Sequence, residues 1–250
     1  MFRHQGKKRT FKHNLRSAAL LSFIAGIVNI CGVLNLGVLT TNVTGHFAFF
    51  AEQVMLKNYS KAISFLVYIL SFLLGAFFAS IITEFAVKKR IPSPHKFAIL
   101  FEIGILLLVG LLGASLNTYF QYPLVASLLL FAMGMQNSLV TQISNSTVRT
   151  THLTGLFTDL GIELSQLFFY RESGQRARLN RSIQLRLSII GCFFGGCVIG
   201  GGLYSILSLK TVLVGTGLLV IALVYDTLLL QYHKISRARK GRIDNSHNFN

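Results

Sequence analysis

Charge is what this 250-residue chain has least of: 13% of its residues are Asp, Glu, Lys or Arg, about half the share usual in soluble domains. Stretches 17–39, 62–83, 103–148 and 187–209 contain none at all. A bilayer core takes about 20 apolar residues per helix, so these lengths exclude a soluble globular domain. The 103–148 stretch is long enough for two crossings, broken at the polar 117–123 segment, and Lys210 sets off a last apolar run over 211–232. Six spans follow, at roughly 17–39, 62–87, 97–117, 122–143, 187–209 and 211–232.

Cysteine is equally sparse. Cys31, Cys192 and Cys197 all fall within spans, where they read as small apolar residues. No His or Cys cluster has ligand spacing, so neither metal nor cofactor is expected. No His lies in the core of a span and Ser138 has no obvious base, so no catalytic residue is assigned and an enzyme is not expected. Trp is absent; Tyr59, Tyr119, Tyr122, Tyr170 and Tyr232 stand near span ends in its place, where an aromatic belt belongs.

The charge that is present is one-sided. The formal net charge is +16, which in a soluble protein would suggest nucleic acid. With six spans, 21 of the 24 Lys and Arg residues fall in four segments on one side: the N-terminal tail, the Lys88–Lys96 loop, 149–186 and the C-terminal tail. Only Lys57, Lys61 and Lys210 fall on the other. The positive-inside rule then puts both termini in the cytoplasm and accounts for the charge without nucleic acid. The first apolar stretch is longer than a signal-peptide core, so an uncleaved anchor in the cytoplasmic (inner) membrane is expected.

One phrase occurs twice. Thr41-Asn42-Val43-Thr44-Gly45-His46-Phe47 is echoed by Thr151-His152-Leu153-Thr154-Gly155-Leu156-Phe157. Upstream, Gly26-Ile27-Val28-Asn29 corresponds to Gly134-Met135-Gln136-Asn137; downstream, Phe72-Leu73-Leu74-Gly75-Ala76 resembles Cys192-Phe193-Phe194-Gly195-Gly196. Each half holds three spans and one motif segment, and an odd number of crossings places the second copy upside down. The expected fold is an all-α membrane protein of six transmembrane helices in two inverted three-helix repeats. The first repeat covers 17–117 with a motif helix at 43–56, the second 118–233 with a motif helix at 154–170, and basic tails 1–16 and 234–250 flank them. The motif helices are too short to cross. They are either re-entrant half-helices dipping in from opposite faces or amphipathic helices lying at the interfaces.

A helix start carries free N–H groups and partial positive charge; Thr can cap it, and Gly permits close approach. Two such starts aimed at one another make a site for a small, anionic solute near the midplane. The substrate-binding candidates are Thr44, Gly45, His46, Thr154 and Gly155, with Asn29, Gln136 and Asn137 as neutral polar groups in spans one and four. Asp159 and Glu163, one turn apart on one helix face, are candidates for proton or ion coupling, with either one of them holding its proton or both met by Arg149, Arg171 or His152; Glu52 occupies the comparable region of the first copy. Gly191, Gly195, Gly196 and Gly200 in the fifth span suit tight helix packing or contacts in a homo-oligomer. The basic 171–186 insertion suits anionic lipid headgroups. Expected partners are therefore the lipid bilayer and a small-molecule or ion substrate.

The segments Gly-Met-Gln-Asn (134–137) and Val-Arg-Thr-Thr-His-Leu-Thr-Gly-Leu-Phe-Thr-Asp-Leu-Gly-Ile-Glu-Leu (148–164) closely resemble the YoaK-like family of uncharacterised bacterial membrane proteins. The resemblance covers about residues 17–232. It implies a bacterial cytoplasmic-membrane protein and supplies no substrate. This chain departs from the family's pattern at Asn29, near which many members carry Asp, and at His46, where they carry Asn. A secondary transporter or channel is the functional expectation; a non-transporting membrane scaffold or assembly factor is the alternative.

Overall fold

The computed structural model describes residues 11–91, 93–113, 122–144, 150–170 and 172–228. Inside a bilayer no water meets the backbone, so N–H and C=O groups must be satisfied within helices. The described residues obey this with helices and no strand. They form α1 (Phe11–Leu36), α2 (Val43–Met55), α3 (Tyr59–Lys88), α4 (Lys96–Leu112), α5 (Tyr122–Ser144), α6 (Leu153–Phe169) and α7 (Ser173–Leu207). A 3-10 turn over Ser208–Thr211 leads into α8, residues 212–228. A helix thus occupies each of the six apolar segments, and α2 and α6 are the two motif helices. Four helical stretches are long and apolar enough to cross a membrane: Phe11–Leu36, Tyr59–Lys88, Tyr122–Ser144 and Ser173–Leu228.

Two features differ from the sequence reading. Helix α1 begins at Phe11, so Lys12 and Arg16 ride on its first turns rather than in a tail. The basic 173–186 stretch is the start of α7, whose 35 residues span about 50 Å. That is longer than the roughly 30 Å hydrocarbon layer requires of one crossing. The start of α7 is held by α6 through a small core of Leu160, Leu179 and Ile183, flanked by Leu167 and Ile190.

Helix ends are set locally. At the end of α1, Gly37 takes φ 66°, and Gly37 N donates to Val33 O while Val38 N donates to Gly32 O. This pairing closes a helix by satisfying its last carbonyls. Helices α2 and α3 also end on left-handed residues, Lys57 and Arg90 with φ of 57° and 53°, but with tighter bonds: Lys57 N to Val54 O and Asn58 N to Gln53 O, then Arg90 N to Val87 O and Ile91 N to Ala86 O.

The core lies along α1 and α5, whose apolar residues are mostly buried. Helices α3, α4, α7 and α8 expose Phe, Leu, Ile and Val outward, as lipid-facing surfaces do. Helix α1 packs chiefly on α7, and α3 on α5. Both crossings use one four-residue pattern, Phe-x-x-Gly: Phe23–Gly26 in α1, Phe72–Gly75 in α3, Phe131–Gly134 in α5 and Phe193–Gly196 in α7. A Cβ on Gly26 would strike the Phe193 carbonyl oxygen, and one on Gly196 would strike that of Phe23. Likewise, a Cβ on Gly134 would strike the Phe72 oxygen, and one on Gly75 that of Phe131. Only glycine lets backbones approach this closely. The crossings place Gly75 opposite Gly196 in role, one residue away from the sequence alignment, which paired it with Gly195. Of the four glycines suggested for helix packing or oligomer contacts, Gly196 and Gly200 press on α1, whereas Gly191 meets nothing within 4 Å.

Candidate functional site

Downstream of α1, the turn at Gly37 directs residues 38–42 back along the helix. Thr41 Oγ1 donates to Asn29 Oδ1 at 3.0 Å, fixing the loop to α1. Thr40, fully buried, sits against Gly32, where a Cβ would collide with its methyl group. The N-cap of α2 is Asn42, whose Oδ1 accepts from Gly45 N at 3.1 Å. The cap is therefore Asn42, not Thr44.

The second copy repeats this layout with different chemistry. Thr150 is fully buried, as Thr40 is, and neither hydroxyl has a hydrogen-bond partner in the protein. His152 occupies the N-cap of α6 but makes no capping bond. Its ring folds over the first turn, where a Cβ on Gly155 would strike it. Asn137 Oδ1, the counterpart of Asn29 Oδ1, is buried without a donor.

Both helix starts open on one cavity of about 770 Å³. Its walls come in matched pairs: Asn29 with Asn137, Thr41 with Thr151, Asn42 with His152, Val43 with Leu153, Thr44 with Thr154, and Phe72 with Phe193. Leu39, Gly45 and Ala48 complete it. Among the described residues no Asp, Glu, Lys or Arg lines it. Five of the eight substrate-binding candidates (Asn29, Thr44, Gly45, Asn137 and Thr154) lie here, and the other three serve elsewhere. Gly155 makes room for the His152 ring. His46 is 1% exposed; its Nε2 lies 2.7 Å from Leu39 O, and its ring packs on Phe65 and Tyr68. Gln136 Nε2 donates to Leu21 O at 2.7 Å, tying α5 to α1.

The acidic candidates lie outside the cavity. Arg186 Nε donates to Glu163 Oε2 at 2.8 Å and Nη2 to Glu163 Oε1 at 2.9 Å, while Nη1 reaches Asp159 Oδ2 at 2.8 Å. Ser182 Oγ also donates to Glu163 Oε1. The partner is thus Arg186 rather than His152; Arg149 and Arg171 lie outside the described residues. Glu52 is exposed, within 3.5 Å of Gln53 Nε2. At the matching place between α2 and α3 there is no ion pair but an aromatic contact, Phe49 on Phe65 with centroids 5.3 Å apart. Glu102 in α4 is buried, and its Oε1 has no hydrogen-bond partner. Among the described residues no group of three His, Cys, Asp or Glu could hold a metal.

A family profile described as "Protein of unknown function (DUF1275)" matches residues 17–225. The chain belongs to this family. It is 25% identical over 182 residues to the "UPF0700 transmembrane protein YoaK" of Bacillus subtilis (strain 168), covering 72% of this chain and 80% of that protein. No solved structure matches the chain. The family membership bears out the YoaK-like resemblance, and with the apolar helices it makes this a multi-pass membrane protein in contact with lipid. Sequence reasoning left out Thr40 and Thr150, and gave no binding role to Thr41, Thr151, His152, Phe72 or Phe193 although all five stand in the repeated segments. A signal for several of them was present: the repeated phrase extends one residue upstream as Thr-Thr in both copies, and Phe-x-x-Gly stands in all four packed helices.

Proposed function

We propose that this protein is a secondary transporter or channel for a small anionic solute, built as two inverted repeats with both termini in the cytoplasm. The observation that carries the reading is the cavity, whose walls are equivalent residues from both halves. Exchanging the halves turns the α1–α7 crossing into the α5–α3 crossing, glycine for glycine and carbonyl for carbonyl. Such pairing is what a pseudo-two-fold axis through the cavity requires, and inverted repeats place substrate sites at that axis. Asn29 and Asn137 each lie seven residues from the end of their helix, about 10 Å along the axis. In the inverted arrangement those two ends are on opposite sides, so the cavity is at depth within the bilayer, and α2 and α6 are re-entrant.

A field argument supports an anion. Two helix starts, each equivalent to about half a positive charge, face a space that no carboxylate lines among the described residues. A cation would find no acidic ligand there. A scaffold needs no such cavity, and the dry packing expected of one is not what separates these helix starts.

Cysteine accessibility tests the geometry. With Cys31, Cys192 and Cys197 replaced, Thr44→Cys should react with a membrane-impermeant thiol reagent only from outside, and Thr154→Cys only from the cytoplasmic side. Reaction of both from one side alone would rule out inverted re-entry.

A further inference from the structure

We propose that the cavity binds a small monocarboxylate, and that its carboxylate sits at the start of α6 rather than at the start of α2. The proposal rests on the cavity being the solute site. It deepens that reading by naming the substrate class and the half that holds it.

The two halves share a layout but not their bonds. In the first half, Gly45 N already donates to Asn42 Oδ1, and Asn29 Oδ1 already accepts from Thr41. In the second half both bonds are missing: His152 caps nothing, and Asn137 Oδ1 has no donor. A buried polar group left unmade costs more than a made bond gains. The unmade bonds therefore mark the half that a ligand completes.

The donors around that half suit an oxyanion. The N–H groups of the first turn of α6 have no side-chain acceptor, and the hydroxyls of Thr151 and Thr154 make no bond as donors. Asn29 reaches in from the other half. It is 8% exposed and lines the cavity; with its Oδ1 held by Thr41, its amide nitrogen has no acceptor in the protein. Helix-start N–H groups with neutral donors suit one negative charge. A phosphate ester or a dicarboxylate would ask for Arg or Lys, and among the described residues neither lines the walls. Phe72 and Phe193 bound the space on two sides and suit a short apolar tail. Asn137 Oδ1 remains as an acceptor, which a ligand hydroxyl can fill.

Lactate is the probe, because it offers a carboxylate, a hydroxyl and a methyl group. Full-length protein in detergent is heated with lactate, phosphate, glycerol or choline. Lactate should give a saturable rise in Tm of roughly 5–10 °C at a hundredfold excess over its Kd; the others should give none. His152→Asn installs the first half's cap, so α6 satisfies its own start and the lactate shift should fall at least tenfold in affinity. Gly155→Ala, which sets a methyl group where the His152 ring lies, should weaken it by a separate route. No lactate shift, an equal shift with glycerol, or a shift untouched in both variants overturns the proposal. Proteoliposome counterflow separates it from the transport reading. Lactate binding without lactate flux would overturn transport and leave the site standing, whereas flux of another solute without lactate binding would do the reverse.

Discussion

At the residue scale, the decisive side chains are the ones that are missing. Gly26, Gly75, Gly134 and Gly196 each stand opposite a Phe carbonyl that a methyl group would strike, whereas Gly191 faces open space. Gly134→Ala and Gly196→Ala should each destabilise the protein by about 1–3 kcal/mol, the usual cost of forcing volume into a packed contact. Gly191→Ala should be neutral or stabilising by up to about 1 kcal/mol, because alanine is the better helix former. Thermal unfolding in detergent distinguishes the two classes. The sequence showed glycine stripes but not which glycines work, since Gly195 and Gly196 are adjacent and only the facing helix separates them. Gln136 is a similar case. It reads as a pathway residue from its position in a span, yet its amide bonds Leu21 O. A side chain's direction depends on the phase of two helices, which one sequence does not contain.

At the element scale, the motif helices are fastened by unlike means. Helix α2 rests on α3 through His46, Phe49, Phe65 and Tyr68, while α6 is clamped to α7 by Arg186 on Glu163 and Asp159. The two carboxylates are not equal. The Glu163 side chain is 13% exposed and that of Asp159 51%. Asp159→Asn should cost less than about 1 kcal/mol, as exposed ion pairs do. Arg186→Ala strands a mostly buried Glu163 and should cost about 3 kcal/mol; Arg186→Ala with Glu163→Gln should recover part of that. Denaturation of the three variants checks the order. The existence of both helices was legible because each follows a repeated phrase and ends within 17 residues. Their fastening was not. Arg186 was read as part of a basic insertion on lipid headgroups, and continuing α7 through 173–186 is what brings it onto Glu163.

At the scale of the whole molecule, the bilayer makes architecture easy to read and chemistry hard. Apolar length found a helix in each of six apolar segments, four helical stretches being long and apolar enough to cross a membrane, because hydrocarbon leaves the backbone few alternatives. The cavity's content was only half legible: Thr44, Gly45, Asn29, Asn137 and Thr154 came from the repeat, but His152 and the Phe walls needed the fold. Orientation remains a prediction of the 21-to-3 charge bias. A fluorescent protein fused at the C-terminus should fold and fluoresce, and alkaline phosphatase fused there should stay inactive; the opposite pattern would invert the topology.

The glycine crossings also make the two parts of the chain depend on each other. Each tight pair draws one helix from residues before 113 and one from residues after 121: α1 with α7, and α3 with α5. A polypeptide ending after α4 would present Gly26 and Gly75 to lipid, with no carbonyl ridge to receive them. Half-length fragments should therefore be degraded when made singly and should recover together as a stoichiometric pair. Each part of the chain thus supplies the surface on which the other closes, α7 for α1 and α5 for α3.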